Sequence, residues 1–353
     1  MIQVSYGANK APAANELEAL LEMSAELGRD PLLVQAGTGN TSVKLDGILW
    51  IKASGKWLAH AKDEEILVPI DLARARECVK ANLDLAREPV NAFESRLRPS
   101  IETAMHTVMP HNVVIHVHSV NTIAWAVRRD APGRLREPLA GLKWKWIPFV
   151  SSGVPLAREI EKRLAEEPGA CVFVLGNHGL VIGAGSCEEA AILLSDVERR
   201  LAICPRPVPP PRYSWFPSAA AGSGWRLPDA PALHCLGTDP AARHALLQGI
   251  LYPCQAIFLG PGLPALRRPG DWEDPNAATA PFLIVEDCGV LVRDDLTGTQ
   301  SAMLTGLMHV VQRIDPSAPL RCLTRTEIAG ILQHEASIYR AMVEKNESRA
   351  AAC

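Results

Sequence analysis

The chain lacks the long apolar run that a membrane-spanning helix requires. No stretch approaches the roughly 18 consecutive apolar residues that cross a bilayer. The first residues, MIQVSYGANKAPAANELEALLEMS, do not place a basic segment ahead of an apolar one, as a secretory signal does. We therefore expect a cytoplasmic protein that does not contact membranes.

The chain also has little excess of either charge. Its 36 lysines and arginines nearly balance 39 aspartates and glutamates, which leaves a net charge of −3. The basic residues are scattered and form no nucleic-acid-binding motif, so the electrostatic footprint of an RNA- or DNA-binding protein is missing. We expect a protein that acts on a small molecule and has no nucleic-acid partner.

Cysteine pairs at metal-ligand spacing are absent as well. The nine cysteines include no CxxC pair and lie far apart, at positions 78, 171, 187, 204, 235, 254, 288, 322 and 353. This pattern predicts free thiols in a reducing compartment and argues against a disulfide framework or a cysteine zinc site. The dinucleotide fingerprint G-x-G-x-x-G is missing too, so we expect no dehydrogenase unit.

The pattern of apolar residues predicts two folded units joined by a linker. The first unit, residues 1–204, is predicted to contain helices at 14–28, 71–82, 101–108, 155–166 and 187–203, with strands near 41–52, 113–118, 171–175 and 179–183. Residues 205–225 are rich in proline and predict an extended linker or strap, because proline cannot continue a helix or a sheet. The second unit, residues 226–353, is predicted to have helices at 239–249, 297–313 and 324–345 and strands at 255–259 and 282–293.

Two histidines stand two residues apart in the apolar segment VVIHVHSVNT, residues 113–122. In a strand this spacing points His116 and His118 to the same face. A shared face suits two ligands of one metal ion, and it equally suits two ordinary core histidines. A third histidine, His178, lies in LGNHGLVIG between two short predicted strands. Turn histidines are often merely exposed, but His178 could complete three histidines with an open position, the usual arrangement of catalytic zinc.

The segment RPSIETAMH, residues 98–106, predicts a helix start with Ser100 near the cap and Glu102 in the first turn. Glu102 could simply complement the helix dipole. It also shares one helix face with His106, four residues later. We interpret His106 as a structural histidine that orients Glu102 or packs beside it.

A glycine-rich segment, GTGNTSVKLDGILWIKASGKW, spans residues 37–57. Backbone amides in such turns can bind an anion, and Lys44, Lys52 and Lys56 would add positive charge. The simpler interpretation of residues 41–52 is a hairpin with a tight turn at Asp46 and Gly47.

Taken together, these motifs resemble the class II aldolase/adducin family. That family is marked by a glycine–asparagine turn, a later serine–glycine turn, a helix-borne glutamate, an H-x-H strand and an H-G-L turn. The same order occurs here at Gly39–Ser42, Ser54–Gly55, Glu102, His116/His118 and His178–Leu180, within residues 14–204. The segments GNTSVK, WIKASG and RPSIET look most like the aldolase part of bifunctional rhamnulose-1-phosphate aldolase/alcohol dehydrogenase proteins.

The resemblance implies a fold and an assembly. The expected fold is α/β, a three-layer αβα sandwich with a mostly antiparallel central sheet, followed by a smaller α/β C-terminal domain. The expected assembly is a homo-oligomer, a tetramer, with the active site near a subunit boundary. The second unit, about residues 226–353, is expected to cover or shape the pocket without chemistry of its own.

The resemblance also implies a zinc-dependent aldolase, a carbon–carbon lyase that cleaves a ketose phosphate or related sugar through a metal-stabilised enediolate. Glu102 would be the catalytic proton shuttle, and Ile101 stands where some relatives have a second phosphate-binding serine. One Zn²⁺ per subunit, or Mn²⁺ or Co²⁺ in its place, would bind His116, His118 and His178. The substrate phosphate would bind Gly39, Asn40, Ser54, Gly55 and Ser100.

Two other functions fit the same residues. An epimerase or decarboxylase of a sugar phosphate or 3-oxo sugar acid would use this metal site with different acid–base groups, often from a neighbouring subunit. An adducin-like scaffold would keep the fold and is expected to lack the metal ligands. Outside the motifs, Ser151, Ser152 and Gly153 are predicted to cap a helix, and Cys254 and Cys288 to act as small hydrophobic residues.

Overall fold

The computed structural model describes residues 11–216, 224–268 and 281–334. Predicted helices at 14–28, 155–166 and 297–313 correspond closely to the observed helices Ala11–Arg29, Val154–Glu166 and Gly298–Val311. The helices of the described residues are α1 (Ala11–Arg29), α2 (Leu72–Lys80), α3 (Thr103–Val108), α4 (Val120–Ala126), α5 (Ala131–Arg134), α6 (Val154–Glu166), α7 (Cys187–Leu201), α8 (Cys235–Thr238), α9 (Pro240–Gln248), α10 (Pro253–Leu259), α11 (Gly298–Val311) and α12 (Arg325–Gln333).

The strands form two sheets. They are β1 (Asn40–Leu45), β2 (Ile48–Lys52), β3 (Leu67–Asp71), β4 (Val113–Val117), β5 (Trp144–Ile147), β6 (Val172–Leu175), β7 (Gly179–Ala184), β8 (Trp225–Arg226), β9 (Ala265–Arg267), β10 (Phe282–Val285) and β11 (Gly289–Arg293). The larger sheet has the order β3-β2-β1-β4-β7-β6-β5. Of its neighbouring pairs only β5 and β6 run parallel. The predicted mostly antiparallel central sheet is confirmed.

Helices cover both faces of the larger sheet. Val113, Ile115 and Val117 of β4 are buried on the face that packs against α1 and α7. Val114 is buried on the other face, among residues of α3 and α6. Because side chains alternate along a strand, His116 points to the same side as Val114, toward α3. This layering confirms the three-layer αβα arrangement and brings the histidine pair under the helix that follows Glu102.

The smaller sheet has the order β8-β11-β10-β9 and belongs to the second unit. The hydrophobic core of the second unit is continuous with that of the first unit. Ile123 of α4 and Val127 just after it lie in the same buried cluster as Leu304 and Leu307 of α11. A shared apolar core of this kind holds the two units against each other.

One predicted strand is wrong. Residues 255–259 lie in the helix α10, which has Pro253 in its first turn, where a missing N–H costs no hydrogen bond. Gly260 ends the helix with a φ of +97°. The short segment AIFL is apolar throughout. It therefore lacks the alternation of apolar and polar residues that would distinguish a strand from a buried helix. The predicted strand at 282–293 is a hairpin of β10 and β11 with Asp287 at a φ of +58° in its turn.

The proline-rich segment has neither helix nor strand from residue 202 to residue 212. Arg206 fastens it to the second unit, because its guanidinium donates to the carboxylate of Asp239 and to the backbone oxygen of Val311. Part of the predicted linker and the end of the predicted helix 324–345 lie outside the described residues. The division at 1–204, 205–225 and 226–353 stays a prediction.

No helix within the described ranges combines the length and the apolar character needed to cross a membrane. The eight cysteines in those ranges are all free thiols. Cys353 lies outside them.

Candidate active site

Three histidines converge where β4 ends and its antiparallel neighbour β7 begins. His116 belongs to β4, His118 follows its last residue, and His178 lies in the turn between β6 and β7. One ring nitrogen of each lies within 4.8 Å of the others, and all three side chains are buried. The pairing of β4 with β7, which sets Val117 opposite Leu180, carries the turn to the end of β4. The fold thus brings the three predicted ligands together.

The rings of His116 and His118 are oriented by contacts of Nδ1, the nitrogen on the side away from the histidine cluster. Nδ1 of His116 donates to the backbone oxygen of Leu180 over 3.0 Å, which directs Nε2 toward the other histidines. Nδ1 of His118 lies 3.4 Å from Sγ of Cys254. The Nε2 atoms of His116 and His118 are 3.1 Å apart. Metal-binding histidines are held by outer contacts of this type.

The turn that carries His178 depends on two special residues. Asn177 has a φ of +52°, and its side-chain amide donates to the backbone oxygens of Leu251 and Arg321 over 2.8 and 2.7 Å. Gly179 lies so close to β4 that a Cβ there would overlap the carbonyl oxygen of Val117. The second unit therefore helps to place His178.

The donor atoms fit a zinc ion. Oε1 of Glu102 lies 3.4 Å from Nε2 of His116 and 3.3 Å from Nε2 of His178. Ligand atoms at tetrahedral angles, each about 2.0–2.1 Å from zinc, are about 3.3 Å from one another. The separations here match that spacing, and three imidazoles with a carboxylate are ligand types that zinc prefers. These residues could hold one divalent metal ion.

Glu102 lies just before α3, at its cap position, and not in its first turn as predicted. Its side chain is 3% exposed and makes no capping bond to the helix. Nδ2 of Asn40 donates to its Oε2 over 2.7 Å, and the hydroxyl of Ser152 lies 3.5 Å from its Oε1. A buried carboxylate that is held beside a metal site can exchange a proton with a bound molecule.

A chain of buried hydrogen bonds leads from β1 to Glu102. Since the amide nitrogen of Asn40 donates to Glu102, its Oδ1 accepts, and Nε2 of His106 lies 2.5 Å from that oxygen. Nδ1 of His106 then accepts from the hydroxyl of Ser42 over 2.7 Å. Burial lowers the pKa of His106 to about 3, so the ring is neutral near pH 7. His106 orients Glu102 through Asn40.

If Glu102 is the proton-transferring group that the resemblance implies, replacing His106 by leucine is expected to lower kcat roughly 10- to 100-fold, because small displacements of such a group have effects of that size. Asn40 would lose the donor that holds it against Glu102. Zinc content, measured by plasma mass spectrometry, should stay unchanged, since His106 is not part of the histidine cluster. A glutamine at this position keeps a donor and should retain more activity than leucine. An unchanged kcat in the leucine variant would show that Glu102 needs no such support.

The five predicted phosphate-binding residues have different surroundings. Gly39 lines a cavity beside Glu102. Asn40 is engaged in the chain of hydrogen bonds, and its Nδ2 also lies 3.3 Å from the hydroxyl of Ser100. Ser54 and Gly55 lie on a loop that is bridged to the segment before Ser100. The hydroxyl of Ser54 is buried and has no hydrogen-bond partner among the residues that the structure describes, which calls for a water or a ligand.

The three lysines predicted to add positive charge near this turn are bonded elsewhere. Nζ of Lys44 donates to two backbone oxygens, and burial lowers its pKa to about 7. Nζ of Lys52 donates to the backbone oxygen of Gly37, and Lys56 pairs with Glu64 at 2.6 Å. None of these lysines lines the cavity. Their role in anion binding stays a prediction.

The cavity opens beside Glu102 and the histidines. Its enclosed volume is about 50 Å³, smaller than the roughly 300–1,000 Å³ of typical small-molecule sites. Both units of the chain line it. The second unit contributes Pro253, Cys254, Ile257, Gly330, Ile331 and His334.

Some of these lining residues differ from their predicted roles. Ser151 and Ser152, predicted to cap a helix, line the cavity, while Gly153 caps α6 with a φ of +87°. Cys254, predicted to be a small hydrophobic residue, contacts a ring of the histidine cluster. His334 stood isolated in the sequence. No local pattern marks Cys254 and His334, because only the packing of α10 and α12 brings them to the site.

Comparisons with known proteins agree with the motifs. The family described as "Class II Aldolase and Adducin N-terminal domain" matches residues 18–204, more than half of the chain. A Bacillus subtilis protein named "Uncharacterized oxidoreductase YuxG" is 28% identical over 187 residues, which cover 49% of this chain and 27% of that protein. The match thus spans little more than a quarter of the length of this curated relative.

Two solved structures align with part of this chain. The N-terminal class II aldolase domain of a conserved protein from Thermoplasma acidophilum is 22% identical, with a TM-score of 0.47 over 57% of this chain and 98% of that one. L-fuculose-1-phosphate aldolase from Thermus thermophilus is 18% identical, with a TM-score of 0.39 over 54% of this chain and 93% of that one. The family match over more than half of its residues identifies the chain as a member of the class II aldolase and adducin family.

Proposed function

We propose that the protein is a zinc-dependent aldolase that cleaves a ketose phosphate or a related sugar by retro-aldol chemistry. The observation that carries the proposal is the position of Glu102, whose Oε1 lies 3.3 Å from His178 and 3.4 Å from His116 at the edge of a cavity. Family membership and the histidine cluster support an enzyme. The same cluster argues against an adducin-like scaffold, which is expected to lack the ligands.

The residues of the chain have separate tasks in this proposal. Zinc bound by His116, His118 and His178 would supply Lewis acidity toward the substrate oxygens. Glu102 delivers a proton to the carbon from which the aldehyde has departed, and removes it in the condensation direction. Asn40 holds the carboxylate in place for this transfer. The substrate phosphate binds near Gly39, Asn40, Ser54, Gly55 and Ser100, as the resemblance implies.

Metal analysis of the purified protein and a screen of ketose phosphates test the proposal. We expect about one zinc per chain, with manganese or cobalt as substitutes. We also expect the release of dihydroxyacetone phosphate and an aldehyde from at least one ketose 1-phosphate, with rhamnulose 1-phosphate first in the screen. A metal-loaded protein that cleaves none of them would overturn it.

An epimerase or decarboxylase of a sugar phosphate or a 3-oxo sugar acid is the second candidate. Two observations favour a substrate with fewer phosphate contacts. Ile101, which replaces a serine of some relatives, lines the cavity, and the amide of Asn40 is already bonded to Glu102. Extending the screen to pentulose phosphates and 3-oxo acids separates the candidates, since an epimer or CO₂ without any aldehyde would select this one.

We further propose that the protein is a homotetramer with its active site near a subunit boundary, as the resemblance implies. Light scattering at micromolar concentration should then give about four times the chain mass of 38.2 kDa. The mass of a single chain under these conditions would contradict the assembly.

A further inference from the structure

The cavity beside Glu102 has walls of two origins. One wall belongs to residues 18–204, the part of the chain that matches the family, and it carries Glu102, His118 and His178. The other wall comes from α10 and α12 and includes Cys254 and His334. A substrate beside Glu102 would therefore contact groups that the family match does not cover.

Polar contacts fix this second wall against the histidine site. Arg321 donates to the side-chain oxygen of Asn177 over 3.0 Å and accepts from its amide through the backbone oxygen. The guanidinium of Arg321 also pairs with Glu327 in the first turn of α12. Since Asn177 precedes His178, one chain of contacts joins α12 to the metal site. His334, which follows the last residue of α12, therefore has a defined position on the cavity.

Retro-aldol cleavage requires two proton transfers at two different atoms. The hydroxyl on the carbon that becomes the aldehyde loses its proton, and the carbon on the other side of the breaking bond gains one. In the proposed function Glu102 delivers the proton to the carbon. Because the two atoms belong to different products, an acid–base group on the other wall is suited to the aldehyde half.

Five titratable side chains line this cavity among the described residues: Glu102, His118, His178, Cys254 and His334. Two of the three histidines belong to the metal cluster. The thiol of Cys254 lies 3.4 Å from a ring nitrogen of His118 and supports that ligand. His334 is half-buried, and an imidazole side chain can act as a general acid or base.

We propose that His334 is the catalytic acid–base residue for the aldehyde half of the substrate; this assignment rests on the proposed aldolase function. In the cleavage direction the imidazole takes the hydroxyl proton, the carbon–carbon bond breaks, and its electron pair moves toward the carbonyl to form the enediolate. Glu102 then delivers a proton to the enediolate carbon. The imidazolium releases its proton to solvent and Glu102 regains one, so the cycle is balanced and redox-neutral.

Two reactions of dihydroxyacetone phosphate separate the roles of the two residues. Exchange of its carbon-bound proton in D₂O, followed by NMR, requires the metal site and Glu102 alone. Condensation with glycolaldehyde also requires a proton for the new hydroxyl. The variant His334→Gln should therefore keep exchange within about 3-fold of the wild type while condensation falls about 10²-fold, the scale of a general acid–base residue. The matched control is His244→Gln, an exposed histidine of α9, which should change neither rate.

Added imidazole should partly restore condensation in His334→Ala. A structural role of His334 would not allow this rescue. Equal condensation in wild type and His334→Gln, with exchange intact, would overturn the assignment of His334 alone. Loss of exchange and of zinc together with condensation in both variants would make His334 structural and also overturn it. A wild-type protein that is loaded with zinc and catalyses neither exchange nor condensation would overturn the aldolase function itself, and the role of His334 with it.

Discussion

Replacing His116 by alanine is expected to remove tightly held zinc and all measurable activity. His116 is fully buried, and its Nε2 lies 3.1 Å from Nε2 of His118 and 3.4 Å from Oε1 of Glu102. Its replacement by alanine therefore removes a donor atom that lies close to both of these groups. Changes to groups that merely support a ligand cost about 10- to 100-fold in metal affinity. The loss of a ligand itself should exceed the upper end of that range.

Zinc content after dialysis and the affinity for added zinc measure this effect. His111→Ala provides a matched control, because His111 lies near the start of β4 and outside the histidine cluster. This control should keep one zinc per chain. Stoichiometric zinc in His116→Ala at unchanged affinity would refute the assignment of the three ligands.

Exchanging Glu102 for glutamine is expected to reduce turnover by at least about 10²-fold, the usual scale for a general acid–base group. Glutamine has nearly the same shape, and its side-chain oxygen can still accept from Nδ2 of Asn40. It cannot take up and return a proton at physiological pH. Zinc content and thermal stability should therefore remain close to those of the wild type.

The measurement compares kcat, zinc content and melting temperature in one preparation. Glu166→Gln, an exposed exchange at the end of α6, is the matched control and should leave all three unchanged. Retained turnover in Glu102→Gln would assign the proton transfer to another residue. A parallel loss of zinc and stability would make the role of Glu102 structural.

Several parts of this site follow from short-range patterns. Alternation along β4 puts His116 and His118 on one face, because the side-chain period of a strand is two. The tight turn at Asp46 and Gly47, with φ values of +48° and +79°, follows from the residue types that tolerate this conformation. The same is true of the helix start near Glu102, although the helix begins at Thr103 and not at residue 101 as predicted.

Other features required the folded chain. A glutamate and a histidine four residues apart predict a shared helix face, but Asn40 from β1 is what connects Glu102 to His106. The apolar run at 255–259 has no period that separates strand from helix, and packing against α11 and α12 accompanies its helical form. These contacts join residues that are far apart in the sequence. Local patterns do not reveal them, because strand order and helix packing depend on the whole core.

The sequence by itself determined the family motifs and their order, including Glu102, the pair His116 and His118, and His178, because each motif depends on spacing within a few residues. Only the tertiary structure decided which groups complete the cavity. Cys254 lies 136 residues along the chain from His118, the ring that it contacts, and His334 follows much later still.

Only packing between distant segments brings residues this far apart in the sequence into contact. The apolar core that α4 shares with α11 and the bonds from Asn177 to Leu251 and Arg321 carry α10 and α12 to the histidine site. No pattern within a short segment encodes such contacts, because they depend on the burial of apolar surface from both units at once.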